Sequence, residues 1–231
     1  MSGFEGFSDI NEVDEDLEKV EAGLRRVLFA QDDEIIIVRD ADKTEFFKQL
    51  YAINTKIRTN YSNNQGKTLV WVYYGGHGVM SNTTYAVCNK AKERKYSWYP
   101  LEDQLRMLSQ LDGAYVVGTF DCCRENLSPA MREGTETRGG LGEEGGELDV
   151  EEGKEENIVL TFGCAPNSKV NMKSRIAERL FVEYTAMQNS GDNNQISFPS
   201  TDFYDFLQWR PEDKGEHTQS YKSTAILNAM V

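Results

Sequence analysis

The chain has 231 residues, and its 38 acidic residues outnumber 25 basic ones, giving a net charge of −13. This length predicts one domain with a sizeable core, and the charge disfavours binding to nucleic acid or to anionic lipid surfaces. No apolar run reaches the roughly 20 residues that cross a bilayer, and no secretory signal pattern is visible. We therefore expect an intracellular, cytoplasmic protein whose four cysteines form neither a disulfide framework nor a zinc site.

The spacing of apolar residues predicts alternating helices and strands. Leu17, Val20, Leu24, Val27 and Leu28 recur at helical spacing and predict the apolar face of a first helix. The predicted elements are, in chain order, a helix at 14–29, a buried strand at 34–38, a helix at 42–57, a strand at 68–74, an edge or hairpin strand at 84–88, a helix at 100–111, strands at 113–120 and 157–164, a helix at 173–188 and a short helix at 202–209. Near-continuous apolar strands between amphipathic helices indicate an α/β protein, with a mainly parallel sheet and helices on both faces.

One segment breaks this alternation. Residues 132–156 contain ten acidic, three basic and seven glycine residues, so they carry −7 of the net charge. Such a composition buries too little apolar surface to offset the entropy lost on ordering. We expect a mobile surface loop.

Two apolar strands end in residues that carry chemistry. "VYYGGHG" places His77 between glycines, and "TFDCCRE" places Cys122 and Cys123 after another strand. Because the carboxyl ends of parallel strands gather catalytic groups, we expect one site, in which a cysteine thiolate attacks a carbonyl and the imidazole transfers the proton. The N–H groups of Gly78 and of the nucleophile are candidates for an oxyanion hole. The alternative is a structural histidine beside two core cysteines.

Both motifs resemble those of the caspase-like cysteine peptidases. "VYYGGHG" is similar to the family's strand end of tyrosine, a small residue and Gly-His-Gly, and "DCCRE" is similar to the Asp-Ser/Cys-Cys motif of metacaspases. The caspase histidine precedes the cysteine by about 50 residues, and 46 residues separate His77 from Cys123. The resemblance implies a three-layer caspase-like sandwich, with Cys123 as nucleophile, His77 as general base and acid, and Gly78 with Cys123 as oxyanion hole.

The resemblance also implies a substrate class. "DEDLEKVEAGL" is similar to the Asp-led first helix of the family, so that Asp16 matches its aspartate, and Asp121 matches the aspartate two residues before the nucleophile. In metacaspases and paracaspases these carboxylates bind a basic side chain, which implies cleavage of peptides or proteins after Arg or Lys. Gly75 occupies a position that shapes this pocket and is commonly serine, and Glu125 stands where Gly or Ser-Gly is usual.

The resemblance divides a single domain, residues 1–231, into parts. Residues 1–131 match the large subunit with its His/Cys dyad, 132–156 take the place of the linker between subunits, and 157–231 match the small subunit. We expect self-cleavage after basic residues of the acidic loop: Arg132, Arg138 and Lys154. The chemistry requires no cofactor or metal, but the resemblance implies calcium as an activator, for which the loop offers carboxylates without an EF-hand pattern.

One departure favours a second interpretation. Members of the family carry an apolar strand before the first helix, in the middle of the sheet, and residues 1–12 contain no such run. We expect another segment or a partner chain to supply or cover that place. The alternative function is a catalytically inactive caspase-like module that serves as a scaffold or interaction subunit in a larger assembly.

Overall fold

A computed structural model describes residues 10, 12–27, 31–88, 97–126, 157–164, 166, 167, 169 and 177, and the backbone of 219–222. The described elements are α1 (Glu12–Val27), a 3-10 turn (Asp32–Glu34), α2 (Lys43–Ser62), β1 (Thr68–Gly76), β2 (Gly78–Met80), β3 (Thr84–Cys88), β4 (Ser97–Tyr99), α3 (Leu101–Ser109), β5 (Ala114–Cys122), β6 (Glu125–Asn126), β7 (Ile158–Phe162) and β8 (Gln219–Lys222). Helices and a mainly parallel sheet occur together in this range, which confirms the predicted α/β class.

The described strands form two four-stranded sheets, and the larger of these has the longer strands. The larger one has the order β1-β5-β7-β8, in which β1, β5 and β7 are parallel and β8 is antiparallel to β7. The smaller one has the order β4-β3-β2-β6. The prediction of a mainly parallel sheet is confirmed, and the hairpin strand predicted at 84–88 is β3, which pairs antiparallel with β2 and β4.

One face of the larger sheet packs on α2 and α3. Alternate residues of β5, from Ala114 to Cys122, and of β7, from Ile158 to Phe162, belong to the same buried core. The helices add the residues that their periodicity placed on their inner faces: Leu50, Ile57, Leu101, Leu105 and Leu108 are buried, and Phe46 and Ile53 are partly buried. Both helix predictions are confirmed.

The first helix buries a face that overlaps the predicted one at Val20 but is rotated from it. α1 packs against β1, and its buried residues are Asp16, Val20 and Gly23, whereas Leu17 and Leu24 are only partly buried. Spacings of four and three residues place the buried residues on one stripe of the helix. A carboxylate therefore sits in the middle of the surface that α1 turns inward.

The buried strand predicted at 34–38 is wrong. Residues 35–38 follow the 3-10 turn and belong to no helix or strand, and Ile36 is 58% exposed. β-branched residues favour strands only where a neighbouring strand offers hydrogen bonds and packing. Among the described residues no strand pairs with this segment.

The strand β1 is less buried than β7. In β1 only Val70 is buried, whereas every residue of β7 is buried. The physical reason is position, because β1 pairs with β5 on one side and has no second neighbour in the described part of the sheet. Within the described chain β1 is therefore an edge strand.

Several predictions lie outside the described residues. These are the mobile loop at 132–156 and the short helix at 202–209, and the helix at 173–188 is described only at Ala177, which is helical. Among the described helices none is long and apolar enough to span a membrane.

Candidate active site

The predicted dyad lies where two parallel strands end. β1 pairs with β5 at a constant offset of 46 residues, up to Gly76 opposite Cys122. β2 pairs with β6 at the same offset, beginning with Val79 opposite Glu125. His77 and Cys123 are also 46 residues apart, so both occupy one row between these paired segments. His77 and Cys123 are the first residues after the ends of β1 and β5, respectively.

Gly78 lies directly against the cysteine pair. A Cβ atom at this position would be 2.5 Å from Cys122 Sγ and 2.6 Å from the Cys123 carbonyl oxygen. No side chain larger than hydrogen fits there without movement. The glycine after the histidine therefore permits the close contact between the two strand ends.

The orientation of the Gly78 amide follows from its neighbours. Val87 N–H donates to the His77 carbonyl at 3.0 Å, so these two form a hydrogen-bonded antiparallel pair. The next pair, Gly78 and Ala86, is then of the non-hydrogen-bonded kind. Its N–H groups point away from the partner strand, and the Gly78 N–H is directed away from β3.

The His77 backbone is held by a partly buried tyrosine. The Tyr74 hydroxyl donates to the His77 carbonyl at 2.6 Å and contacts the Val87 carbonyl at 3.5 Å. Burial raises the pKa of Tyr74 well above its ordinary value, and the nearby Cys122 and Cys88 add to this rise. The Tyr74 hydroxyl therefore stays protonated and acts as a hydrogen-bond donor that fixes the position of the His77 backbone.

The four cysteines, all described, have different environments. Cys88, Cys122 and Cys164 are buried, whereas Cys123 is half-buried. Burial raises the pKa of Cys122 well above its usual range, with Cys164 and Asp121 contributing. Burial and then Cys123 raise the pKa of Cys164 to about 11. Since the thiolate is the nucleophile, Cys122 and Cys164 are poorly suited to attack at neutral pH.

Arg124, which follows the cysteine pair, packs against the core. Its side chain is buried, and its guanidinium carbon lies 3.8 Å from the centroid of the Phe162 ring. Burial lowers the pKa of Arg124, and Glu102 and the Cys164 and Cys122 thiols raise it. Glu125, which follows it, is exposed and forms an ion pair of 3.5 Å with Lys169.

The two carboxylates predicted to line the pocket are both buried. Asp16 is 3% exposed and Asp121 is 8% exposed. The Asp121 Oδ2 atom accepts from the Tyr73 hydroxyl at 3.3 Å and from the Ala177 N–H at 3.4 Å. Gly75 of β1 is paired with Asp121 of the neighbouring strand β5. Two buried carboxylates thus belong to α1 and to β5, the strand that ends one residue before Cys123.

Asp121 and Cys122 are directed to opposite sides of β5. Side chains alternate along a strand, and Cys122 belongs to the core under α2 and α3. The side chain of Asp121 is therefore directed to the opposite face, and Cys123 is the first residue after the end of β5.

Sequence reasoning missed three residues of this site. Tyr73, Tyr74 and Arg124 contact Asp121, His77 and Phe162, respectively. Both tyrosines stand in "VYYGGHG". Because adjacent side chains of a strand point to opposite faces, the sequence could have placed them on opposite sides of β1. The predicted cleavage residues Arg132, Arg138 and Lys154 lie outside the described residues, and within the described part no cluster of three or more His, Cys, Asp or Glu residues is arranged to hold a metal ion.

Comparison with known protein-family models gives no match for this chain, and comparison with curated protein sequences also gives none.

Proposed function

We propose that this protein is a caspase-like cysteine endopeptidase that cleaves after Arg or Lys. The observation that carries the proposal is the common offset of 46 residues in both pairings, which supports matching positions for His77 and Cys123 just after the ends of β1 and β5. A histidine and a cysteine at carboxyl strand ends are the groups needed for acyl transfer. In this proposal the fold is a three-layer sandwich with α1 on the face opposite α2 and α3, which the burial of Val20 outside their core supports.

Each step of the chemistry has a candidate group. His77 accepts the thiol proton of Cys123, the thiolate attacks the scissile carbonyl, and the imidazolium then protonates the leaving amine. Water hydrolyses the resulting thioester with His77 as base. The Gly78 N–H, which points away from β3, and the Cys123 N–H would stabilise the oxyanion. Cys123 is preferred to Cys122 as nucleophile because burial keeps the pKa of Cys122 high.

Charge supports the choice of a basic substrate. Asp16 and Asp121 are both buried, and a buried carboxylate is stabilised by a cation with which it can pair. The side chain of Arg or Lys supplies such a cation, whereas an acidic side chain would be repelled. We therefore assign Asp16, Asp121 and Gly75 to the pocket for the residue before the cleaved bond.

Regulation is proposed for the acidic loop. Residues 132–156 place Arg132, Arg138 and Lys154 in an acidic, glycine-rich setting, which supports self-cleavage at these residues and calcium as an activator. Intact-mass analysis after incubation with calcium tests both. A single 26.3 kDa chain for both the unaltered protein and Cys123→Ala would contradict self-cleavage.

The function is tested with fluorogenic peptides that carry Arg, Lys or Asp before the leaving group. We expect turnover of the Arg and Lys peptides but not of the Asp peptide. Cys123→Ala should abolish turnover, and its neighbour Cys122→Ala is the matched control that should retain it. Turnover that survives in Cys123→Ala, or an unaltered folded protein that is inactive with and without calcium, would contradict the proposal.

A second candidate is an inactive scaffold subunit. It is favoured by β1, which has one neighbour among the described strands, and by the exposed side chain of Ile36. An edge strand offers backbone groups to a strand of a partner chain. Stable binding of a partner by a folded but inactive protein would favour this function. The free thiols of all four cysteines suit a reducing, cytoplasmic setting in either case.

A further inference from the structure

Tyr73 and Gly75 form a matched pair beside Asp121. The phenol of Tyr73 reaches along β1 over Gly75, where an added Cβ would lie 3.1 Å from Tyr73 Cε1 and 3.2 Å from its hydroxyl oxygen. The same hydroxyl donates to Asp121 Oδ2 at 3.3 Å. A side chain at position 75 would therefore make a tight contact with the phenol of Tyr73, which would have to shift by a few tenths of an ångström.

Two hydrogen bonds occupy one oxygen of the Asp121 carboxylate. A carboxylate oxygen has two lone pairs, and Asp121 Oδ2 already accepts from the Tyr73 hydroxyl and from the Ala177 N–H. A guanidinium that approached both oxygens of Asp121 side by side would have to displace one of these donors. An ammonium group needs only one acceptor oxygen from each carboxylate, because it is a compact charge with three separate donors.

We propose that Tyr73 is a specificity-determining residue that shifts the pocket towards Lys and away from Arg by holding Asp121 Oδ2. This inference rests on the proposed function, since it assumes that Asp121 binds the basic side chain of the substrate. The strongest form of Arg recognition is the bidentate pairing of its planar fork with one carboxylate. Tyr73 removes that option at Asp121 while leaving single-oxygen contacts to an ammonium intact.

The test compares two peptides that differ only in Arg or Lys before the cleaved bond. The ratio of kcat/KM for Arg to that for Lys is measured in the unaltered protein and in Tyr73→Phe, which keeps the ring and removes the donor. We expect the ratio to rise by about three- to tenfold in Tyr73→Phe, the worth of one hydrogen bond. Tyr51→Phe, at a tyrosine of α2 that is 57% exposed, is the matched control and should leave the ratio unchanged.

A second variant tests whether the effect of Tyr73→Phe comes from the loss of the hydrogen bond to Asp121. In Gly75→Ala the new methyl group would push the phenol away, and the hydrogen bond to Asp121, already 3.3 Å long, should be lost. The Arg to Lys ratio should rise as in Tyr73→Phe, and the double variant should add little because both changes remove the same contact. Equal losses for both peptides would indicate general damage and overturn the inference.

The result separates this inference from the proposed function. Turnover of both peptides with an unchanged ratio in Tyr73→Phe overturns the role of Tyr73 and leaves the peptidase in place. If the unaltered protein cleaves neither peptide, the proposed function fails, and calorimetric binding of the two peptides to Cys123→Ala then decides the pocket. A higher relative affinity for the Arg peptide after Tyr73→Phe supports the inference, whereas no binding, or an unchanged ratio of affinities, overturns it.

Discussion

Gly78 and Cys123 are in such close contact that a methyl group cannot come between them. A Cβ on Gly78 would be 2.6 Å from the Cys123 carbonyl oxygen and 2.5 Å from Cys122 Sγ. We expect Gly78→Ala to lower the free energy of unfolding by about 1–3 kcal/mol through overpacking. It should also lower peptidase activity by about 100-fold, because it separates the histidine from the nucleophile. Urea denaturation and peptide turnover measure the two effects.

The control for this prediction is a glycine substitution of similar cost away from the site. Gly66 has a φ of +90° and open space around its Cβ direction, so Gly66→Ala strains the backbone without a steric contact. It should lose stability but keep its turnover per folded molecule. Gly78→Ala with full turnover would show that the contact between the strand ends is not needed for activity.

The hydroxyl of Tyr74 should matter for catalysis although it touches no substrate. Tyr74→Phe removes the 2.6 Å hydrogen bond to the His77 carbonyl, while the Val87 N–H continues to donate to that carbonyl. We expect a loss of about 1 kcal/mol in the free energy of unfolding, together with a lower kcat and a nearly unchanged KM. Tyr51→Phe, on the exposed side of α2, should change neither quantity.

The environments of the cysteines predict selective alkylation. At pH 7.5 iodoacetamide should modify Cys123 first, because it is the least buried of the four, and the raised pKa values of Cys122 and Cys164 keep those thiols protonated. Peptide mapping by mass spectrometry locates the modified residue. Cys123→Ala should lose the fast reaction and Cys122→Ala should keep it. Fast labelling of Cys122 in the folded protein would contradict the assigned burial.

Stability should fall at alkaline pH. Burial raises the folded-state pKa of Cys164 from 9.0 to about 11 and raises that of Cys122 as well. The unfolded thiols ionise first, so the stabilisation is fully present below about pH 9 and is lost as the pH rises towards 11 and beyond. Each group contributes a slope of about 1.4 kcal/mol per pH unit in this window. Urea denaturation at pH 8, 9, 10 and 10.5 measures it.

Cys164→Ala provides the check on that slope. Without this thiol the decline in the free energy of unfolding above pH 9 should be shallower, although the absolute stability at pH 8 also changes. An equal slope in both proteins would mean that Cys164 ionises at the same pH in the folded and unfolded chains. The loss of stability would then come from other groups.

The sequence alone determined most of the secondary structure. Amphipathic spacing located α1, α2 and α3, and apolar runs located β1, β5 and β7, because these patterns reflect the burial of one face of each element. It also brought together the two motifs that contain His77 and Cys123, and the structure places both at neighbouring strand ends. Their spacing of 46 residues was available from the sequence, but the sequence did not show that it is also the offset at which β1 pairs with β5 and β2 pairs with β6.

Tertiary structure decided everything that depends on which residues face each other. The register of β1 on β5 made the spacing of 46 residues a shared row, and burial turned Asp16 inward in place of Leu17. The absence of a described partner strand left Ile36 exposed despite its β-branched neighbours. The physical reason is that pairing, burial and close approach, such as that of Tyr73 to Asp121, arise from contacts between distant parts of the chain, whereas periodicity reports only the environment of one segment.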